Sequence, residues 1–99
     1  MAHDPLAPVH PGEILREEFL SPLGMTPYAL AAACHVPRTR FERLVREETP
    51  VTPDTALRLA RYFGTTPEFW LGIQTRFDLE KISRSLAAEI DAIRPREAV

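Results

Sequence analysis

The sequence has few of the residues on which several classes of protein depend. Its single cysteine, Cys34, excludes an internal disulfide and favours a reducing compartment, which we expect to be the cytoplasm. Four scattered glycines form no phosphate-binding loop. No apolar run approaches the roughly 20 residues of a membrane helix, and the opening MAHDPLAPVHPGE lacks a signal-peptide layout. These absences predict a cytoplasmic protein without membrane association.

The residues for metal or covalent chemistry are equally sparse. None of the three histidines, His3, His10 and His35, has metal-ligand spacing relative to another or to a second cysteine. Cys34 and His35 are adjacent, so on a helix their side chains point about 100° apart. No serine lies in a nucleophile-elbow pattern. We therefore expect no metal, no cofactor and no enzymatic activity, and we assign His10 to capping the first helix.

Positive charge is concentrated in one short segment. The net charge is −2 and the isoelectric point about 5.9, which argues against a polycation that coats nucleic acid. Residues 36–46 nevertheless carry four arginines against Glu42, a local charge of +3. Glu47 and Glu48 follow at once. This focused distribution is more typical of a site-specific binder than of a non-specific one.

Proline marks the predicted helix starts. Five of the ten prolines lie where a helix would begin, and three of these five follow a threonine that can cap the first turn. Gly24 and Gly64 fit the ends of the first and fourth helices. The predicted helices span 11–20, 27–34, 37–47, 53–63 and 67–93. We expect an all-α domain over residues 10–93, a mobile arm at 1–9 and a frayed tail at 94–99.

The segment 26–46 predicts two short helices that meet at a tight corner. Phe41 and Leu44 would face inward, and arginines would occupy much of the remaining surface of the second helix. Such a pair is how a helix-turn-helix presents itself to the DNA major groove. The plain alternative is a helical hairpin whose charged face is merely solvated, and this pattern by itself does not decide between the two.

The C-terminal segment carries a second informative pattern. Apolar residues recur there at helical spacing: Leu79, Ile82, Leu86, Ile90 and Ile93. This stripe is too long for the core of a small domain, so we predict that it forms the interface of a homodimer. The alternative is that the helix folds back over its own domain.

Three segments together resemble a known family. The segments HPGEILREEFL at 10–20, VPRTRFERLVR at 36–46 and TPDTALRLARYFGTTPEFWLGIQTRFDL at 52–79 are similar to HigA-type antitoxins of the lambda-repressor-like (XRE) helix-turn-helix family. The resemblance implies a five-helix bundle with a long C-terminal helix, a homodimer, repression of its own operon through a palindromic operator, and neutralisation of a RelE-like ribonuclease toxin of the HigB type.

The resemblance also implies site residues. The positions that commonly face DNA carry Thr26 at the start of the motif and, in its second helix, the set Arg38, Thr39, Arg40, Glu42, Arg43 and Arg46. His35 replaces the usual corner glycine, and Glu47 and Glu48 replace a glycine and basic residues. Because of this acidic pair, the second hypothesis is a toxin-binding interaction protein that binds DNA weakly. A stand-alone transcriptional repressor is the third hypothesis.

Overall fold

The computed structural model describes residues 7–97 of the chain, so residues 1–6 of the predicted arm and residues 98–99 of the predicted tail lie outside the described part. Within residues 7–97 the chain forms five helices and no strand, as predicted. Helix α1 comprises the consecutive segments Pro11–Ile14, Leu15–Leu20 and Ser21–Leu23. The others are α2 (Pro27–Cys34), α3 (Arg38–Val45), α4 (Pro53–Phe63) and α5 (Pro67–Asp91).

Helix α1 is longer than the predicted 11–20. Its middle segment has π-helical hydrogen bonding, in which the Ser21 N–H donates to the Arg16 carbonyl five residues earlier. Pro22 has no N–H to donate, and the wider turn lets the helix continue past it. The helix ends at Leu23, and Gly24 closes it in the left-handed conformation with φ 60°. The helix thus runs three residues beyond the predicted bound at residue 20, and Gly24 ends it as predicted.

Threonine and histidine caps begin four of the five helices, as predicted. Each cap accepts a hydrogen bond from a backbone N–H of the first turn that has no partner within the helix. The pairs are Thr26 with Ala29 at 3.0 Å, Thr52 with Thr55 at 3.3 Å, Thr66 with Phe69 at 3.1 Å, and His10 Nδ1 with Gly12 at 2.9 Å. Helix α3 differs, because Pro37 precedes it instead of forming its first turn.

The core lies where all five helices meet. Its largest fully buried side chains are Trp70, Phe41, Leu15, Leu30, Leu44 and Leu59. The Trp70 indole N–H donates to Thr65 Oγ1 at 2.8 Å, so this buried donor is satisfied. Phe19 packs against Trp70 and Phe63 with ring centroids 4.9 and 4.8 Å apart. Through Phe41 and Leu44, this core packs α3 against the rest of the bundle.

Helix α5 extends beyond the body of the domain. The described part measures 53 × 33 × 20 Å with a radius of gyration of 16.6 Å, against about 13 Å for a compact chain of this size. The first half of α5 buries Trp70 and Gln74. Leu86 lies about 160° around the helix from Trp70 at 100° per residue, so the stripe faces away from the body. The helix does not fold back over its own domain.

Candidate nucleic-acid interface

The corner between α2 and α3 is built on a residue other than glycine. His35 adopts the left-handed conformation predicted for it, with φ 60° and ψ 46°. Its N–H bonds to the Ala32 carbonyl at 3.3 Å. From α4, the Arg58 Nη1 donates to the Cys34 and His35 carbonyls at 2.8 and 3.5 Å. A side chain 23 residues away thus satisfies the carbonyls of the turn, a contact that the sequence did not reveal.

Helix α3 places its arginines outward because its apolar residues anchor it. Phe41 and Leu44 are 0% and 1% exposed, whereas Arg38, Thr39, Arg43 and Arg46 are all exposed. Arg40 and Glu42 are half-buried at the flanks. The predicted DNA-facing residues of this helix therefore share one side of the domain.

The four arginines of this segment differ in their partners. Arg38 Nε lies 3.8 Å from Glu42 one turn along the helix. Arg40 forms an ion pair with Asp54, which also accepts from Arg58 Nε at 2.8 Å. Hydrogen bonds from Arg58 and Arg40 hold the pKa of the Asp54 carboxyl below its usual range.

Arg43 and Arg46 make no ion pair with any residue in 7–97. Their guanidinium groups are therefore available to a ligand without the loss of an internal contact. A guanidinium can bind guanine O6 and N7 bidentately, or a phosphate. These two residues are the strongest candidates for direct contact with DNA.

A groove of about 390 Å³ separates α3 from the loop that follows it. Thr39, Arg40 and Arg43 line one side, and Thr49, Pro50 and Thr52 line the other. Hydroxyl and guanidinium groups are the usual partners of phosphate oxygens. Sequence reasoning missed the loop threonines, which had no motif of their own. Thr26, in contrast, lies exposed at the start of α2, where its hydroxyl caps the helix as described.

The two acids after α3 have different environments. Glu47 closes the helix in the left-handed conformation with φ 63°, and the Glu48 N–H bonds back to the Arg43 carbonyl at 3.0 Å. Arg16 of α1 lies 3.4 Å from the Glu47 carboxylate and donates to the Val45 carbonyl. Glu48 forms no ion pair within residues 7–97. The unfavourable charge near the arginines is thus mainly that of Glu48.

Two kinds of site are absent from the described part, a metal centre and a membrane-spanning helix. Among residues 7–97 no group of three His, Cys, Asp or Glu side chains is placed to hold a metal ion. Within the same residues no helix is long and apolar enough to cross a bilayer. Burial raises the pKa of the Cys34 thiol, although the nearby charge of Arg58 acts in the opposite direction.

A short helix pair whose second helix buries its apolar side and exposes arginines is the arrangement of a DNA-binding helix-turn-helix. A model of the helix-turn-helix family matches residues 15–70. Virulence-associated protein I of Dichelobacter nodosus is 54% identical over 72 residues, which are 73% of this chain and 67% of that protein. Antitoxin HigA-1 of Vibrio cholerae is 40% identical over 88 residues, which are 89% of this chain and 83% of that protein.

A solved structure extends this similarity. The Pseudomonas aeruginosa antitoxin HigA, in a structure with the higBA promoter, superposes with a TM-score of 0.86 at 38% identity. The superposition covers 91% of this chain and 99% of that chain. The chain therefore belongs to the helix-turn-helix family, within the group of relatives that includes the HigA antitoxins. The family resemblance found in the sequence is confirmed.

Proposed function

We propose that this protein is a DNA-binding antitoxin that represses its own operon and neutralises a partner ribonuclease toxin of the RelE-like HigB type. The observation that carries the DNA-binding part is the exposed, unpaired state of Arg43 and Arg46 on an anchored helix. The V. cholerae HigA-1 and the P. aeruginosa HigA with its promoter support the antitoxin assignment by similarity.

The protein acts on DNA as a homodimer in this proposal. One such helix contacts only a few base pairs, whereas two of them on a palindrome about one helical turn apart specify a much longer site. The exposed stripe on α5 supports the dimer, because Leu79 and Ile93 are 64% and 65% exposed in the single chain. Binding to an operator on chromosomal or plasmid DNA requires the protein to be in the cytoplasm.

In the complex we place α3 in the major groove. Arg38, Arg43 and Arg46 reach base edges or flanking phosphates, and Glu42 can accept from a cytosine amine. Thr26, Thr39 and Arg40 border the same face and contact the DNA backbone, which fixes the register without reading sequence.

DNA binding is tested by fluorescence anisotropy with the region upstream of the protein's own gene. Arg43→Ala and Arg46→Ala should each weaken operator binding by about 5- to 150-fold, because a bidentate base contact is worth about 1–3 kcal/mol. Arg76→Ala is the matched control, since Arg76 is an exposed arginine of α5 outside this face. If the dimer makes about six phosphate contacts, the slope of log K against log salt should be near −5. If Arg43→Ala and Arg46→Ala bound the operator as tightly as the Arg76→Ala control, α3 would not be part of the DNA interface.

Toxin neutralisation needs a separate test. The product of a small neighbouring reading frame should co-purify with this protein, and co-expression should restore growth that the toxin alone arrests. Operator binding without any such partner would favour a stand-alone repressor. Partner binding with no operator affinity at physiological salt would favour an interaction protein that binds DNA poorly.

A further inference from the structure

The loop over residues 46–52 lies between two parts of the domain. One side of it borders the groove that Thr39 and Arg43 of α3 line. The other side faces α5, where Gln74, Phe77 and Asp78 line a smaller cleft. Thr49 and Pro50 border both spaces. The position of this loop relative to α3 therefore depends on the contacts on the α5 side as well as on those at its start.

A buried amide side chain provides that contact. Gln74 is 7% exposed, and its Oε1 accepts from the Val51 N–H at 2.8 Å. Its Nε2 donates to Asp78 Oδ1 at 3.0 Å, which orients the amide with its oxygen toward the loop. Val51 is itself buried and directly precedes Thr52, the cap of α4. A single side chain of α5 thus fixes the end of the loop.

The beginning of the loop is held from another helix. Arg16 of α1 donates to the Val45 carbonyl and pairs with Glu47. The segment between these two anchors carries Thr49 and Pro50, whose side of the groove faces Arg43. Packing alone does not call for an amide at position 74, because methionine has a similar shape and would fill the same volume. Of these two side chains, only the amide offers an oxygen that accepts from the Val51 N–H.

We infer that Gln74 is a positioning residue for DNA binding: through the Val51 N–H it places the groups of residues 49–52 where they contact a phosphate beside α3. The inference rests on the proposed function, since it concerns the same DNA complex. Gln74 itself does not touch the DNA. Its effect is on the backbone contacts made by the loop, which carry affinity but no sequence information.

The test compares two variants of the full-length chain. Gln74→Met removes the acceptor and keeps the shape. Gln74→Glu combined with Asp78→Asn exchanges the amide and the carboxylate between positions 74 and 78 and leaves the net charge unchanged. In this exchanged pair the carboxylate at position 74 accepts from both the Val51 N–H and the amide at position 78. Circular dichroism establishes a temperature at which all forms are fully folded. Operator and random-sequence DNA are then titrated at several salt concentrations by fluorescence anisotropy.

In Gln74→Met we expect binding to both DNAs to weaken about tenfold and by the same factor. The salt slope should stay close to the wild-type value, because the lost contacts come from uncharged hydroxyl and backbone groups that displace no counterions. Amide exchange at Val51 should accelerate. The exchanged pair should recover the wild-type affinity for both DNAs, which a purely structural role would not require.

Wild-type affinity in the folded Gln74→Met variant, with faster exchange at Val51, would overturn the inference. So would an exchanged pair that protects the Val51 amide and still binds DNA as weakly as Gln74→Met. Failure of the proposed function looks different, because the wild-type protein itself would then not bind its operator.

Discussion

The stripe on α5 can be tested by placing charge in its centre. Leu86→Glu with Ile90→Glu adds two carboxylates to each chain where Leu86 is half-buried and Ile90 is 53% exposed. Both side chains point away from Trp70 and the core. The fold of the single domain should therefore survive, while any surface that covers the stripe should reject the charges.

The size of the effect follows from the exposure of the stripe. Complete burial of a leucine or isoleucine is worth about 1.5–3 kcal/mol. Four of the five side chains are 51% to 65% exposed in the single chain, so covering each one gains about 1–1.5 kcal/mol. Eight such side chains in two chains give about 8–12 kcal/mol, against an association cost of about 4–15 kcal/mol. The double variant removes two of these contributions, about 2–3 kcal/mol, and places four carboxylates in the interface, where burial of each charge costs several kcal/mol, so the dimer should weaken at least a thousandfold.

Multi-angle light scattering at micromolar concentration provides the measurement. The wild type should have twice the mass of one chain, and the double variant should be a folded monomer with much weaker operator binding. Ser85→Glu with Ala88→Glu is the matched control, because it adds the same charges to the same exposed part of α5 outside the stripe. A dimeric double variant would place the interface elsewhere, and a monomeric wild type would refute both the dimer and the palindromic operator.

Three further outcomes can be stated. Glu48→Lys should tighten specific and non-specific DNA binding alike in an anisotropy titration, and unchanged affinity at low salt would place Glu48 away from the DNA backbone. Gly12→Ala should destabilise the fold in urea unfolding, since an added Cβ would lie 1.8 Å from the Leu44 carbonyl oxygen; wild-type stability would contradict this packing. Burial lowers the pKa of His10 below 6.5 in spite of the opposing charges of Glu47 and Asp78, so the unfolded chain takes up the proton first and stability should fall as the pH drops below about 6.5. That fall should be smaller in His10→Asn, and an equal fall would assign the effect to other groups.

Local rules account for most of what the sequence predicted correctly. The threonine caps and Gly24 act within four residues of the backbone groups they serve, so their role is visible in the sequence itself. The predicted bound of α1 at residue 20 was three residues short of the observed end at Leu23. The π-helical hydrogen bonds over Leu15–Leu20 could not be predicted either, because they follow from no residue pattern.

The position of the site could be predicted from the sequence, whereas the ion-pair partners of its side chains could not. The spacing of Phe41 and Leu44 was enough to identify the buried face of α3, and hence the outward face. The pairing of Arg40 with Asp54 spans 14 residues and that of Arg16 with Glu47 spans 31, so neither follows from helical periodicity. From the sequence, Arg43 and Arg46 could therefore not be distinguished from Arg38, nor Glu48 from Glu47, although their surroundings differ.

This pairing explains how a chain with a net charge of −2 can attract DNA. Exposed ion pairs are worth at most about 1 kcal/mol, so Arg38 and Arg40 can exchange a carboxylate for a phosphate at little cost. Asp54 keeps its bond from Arg58 when Arg40 leaves, so this carboxylate is not left unpaired. Glu47 is held by Arg16, which also bonds to the backbone. Repulsion of DNA is thus reduced mainly to Glu48 and to Glu42 where Arg38 leaves it, so an arginine-rich surface can bind DNA on a protein of negative net charge.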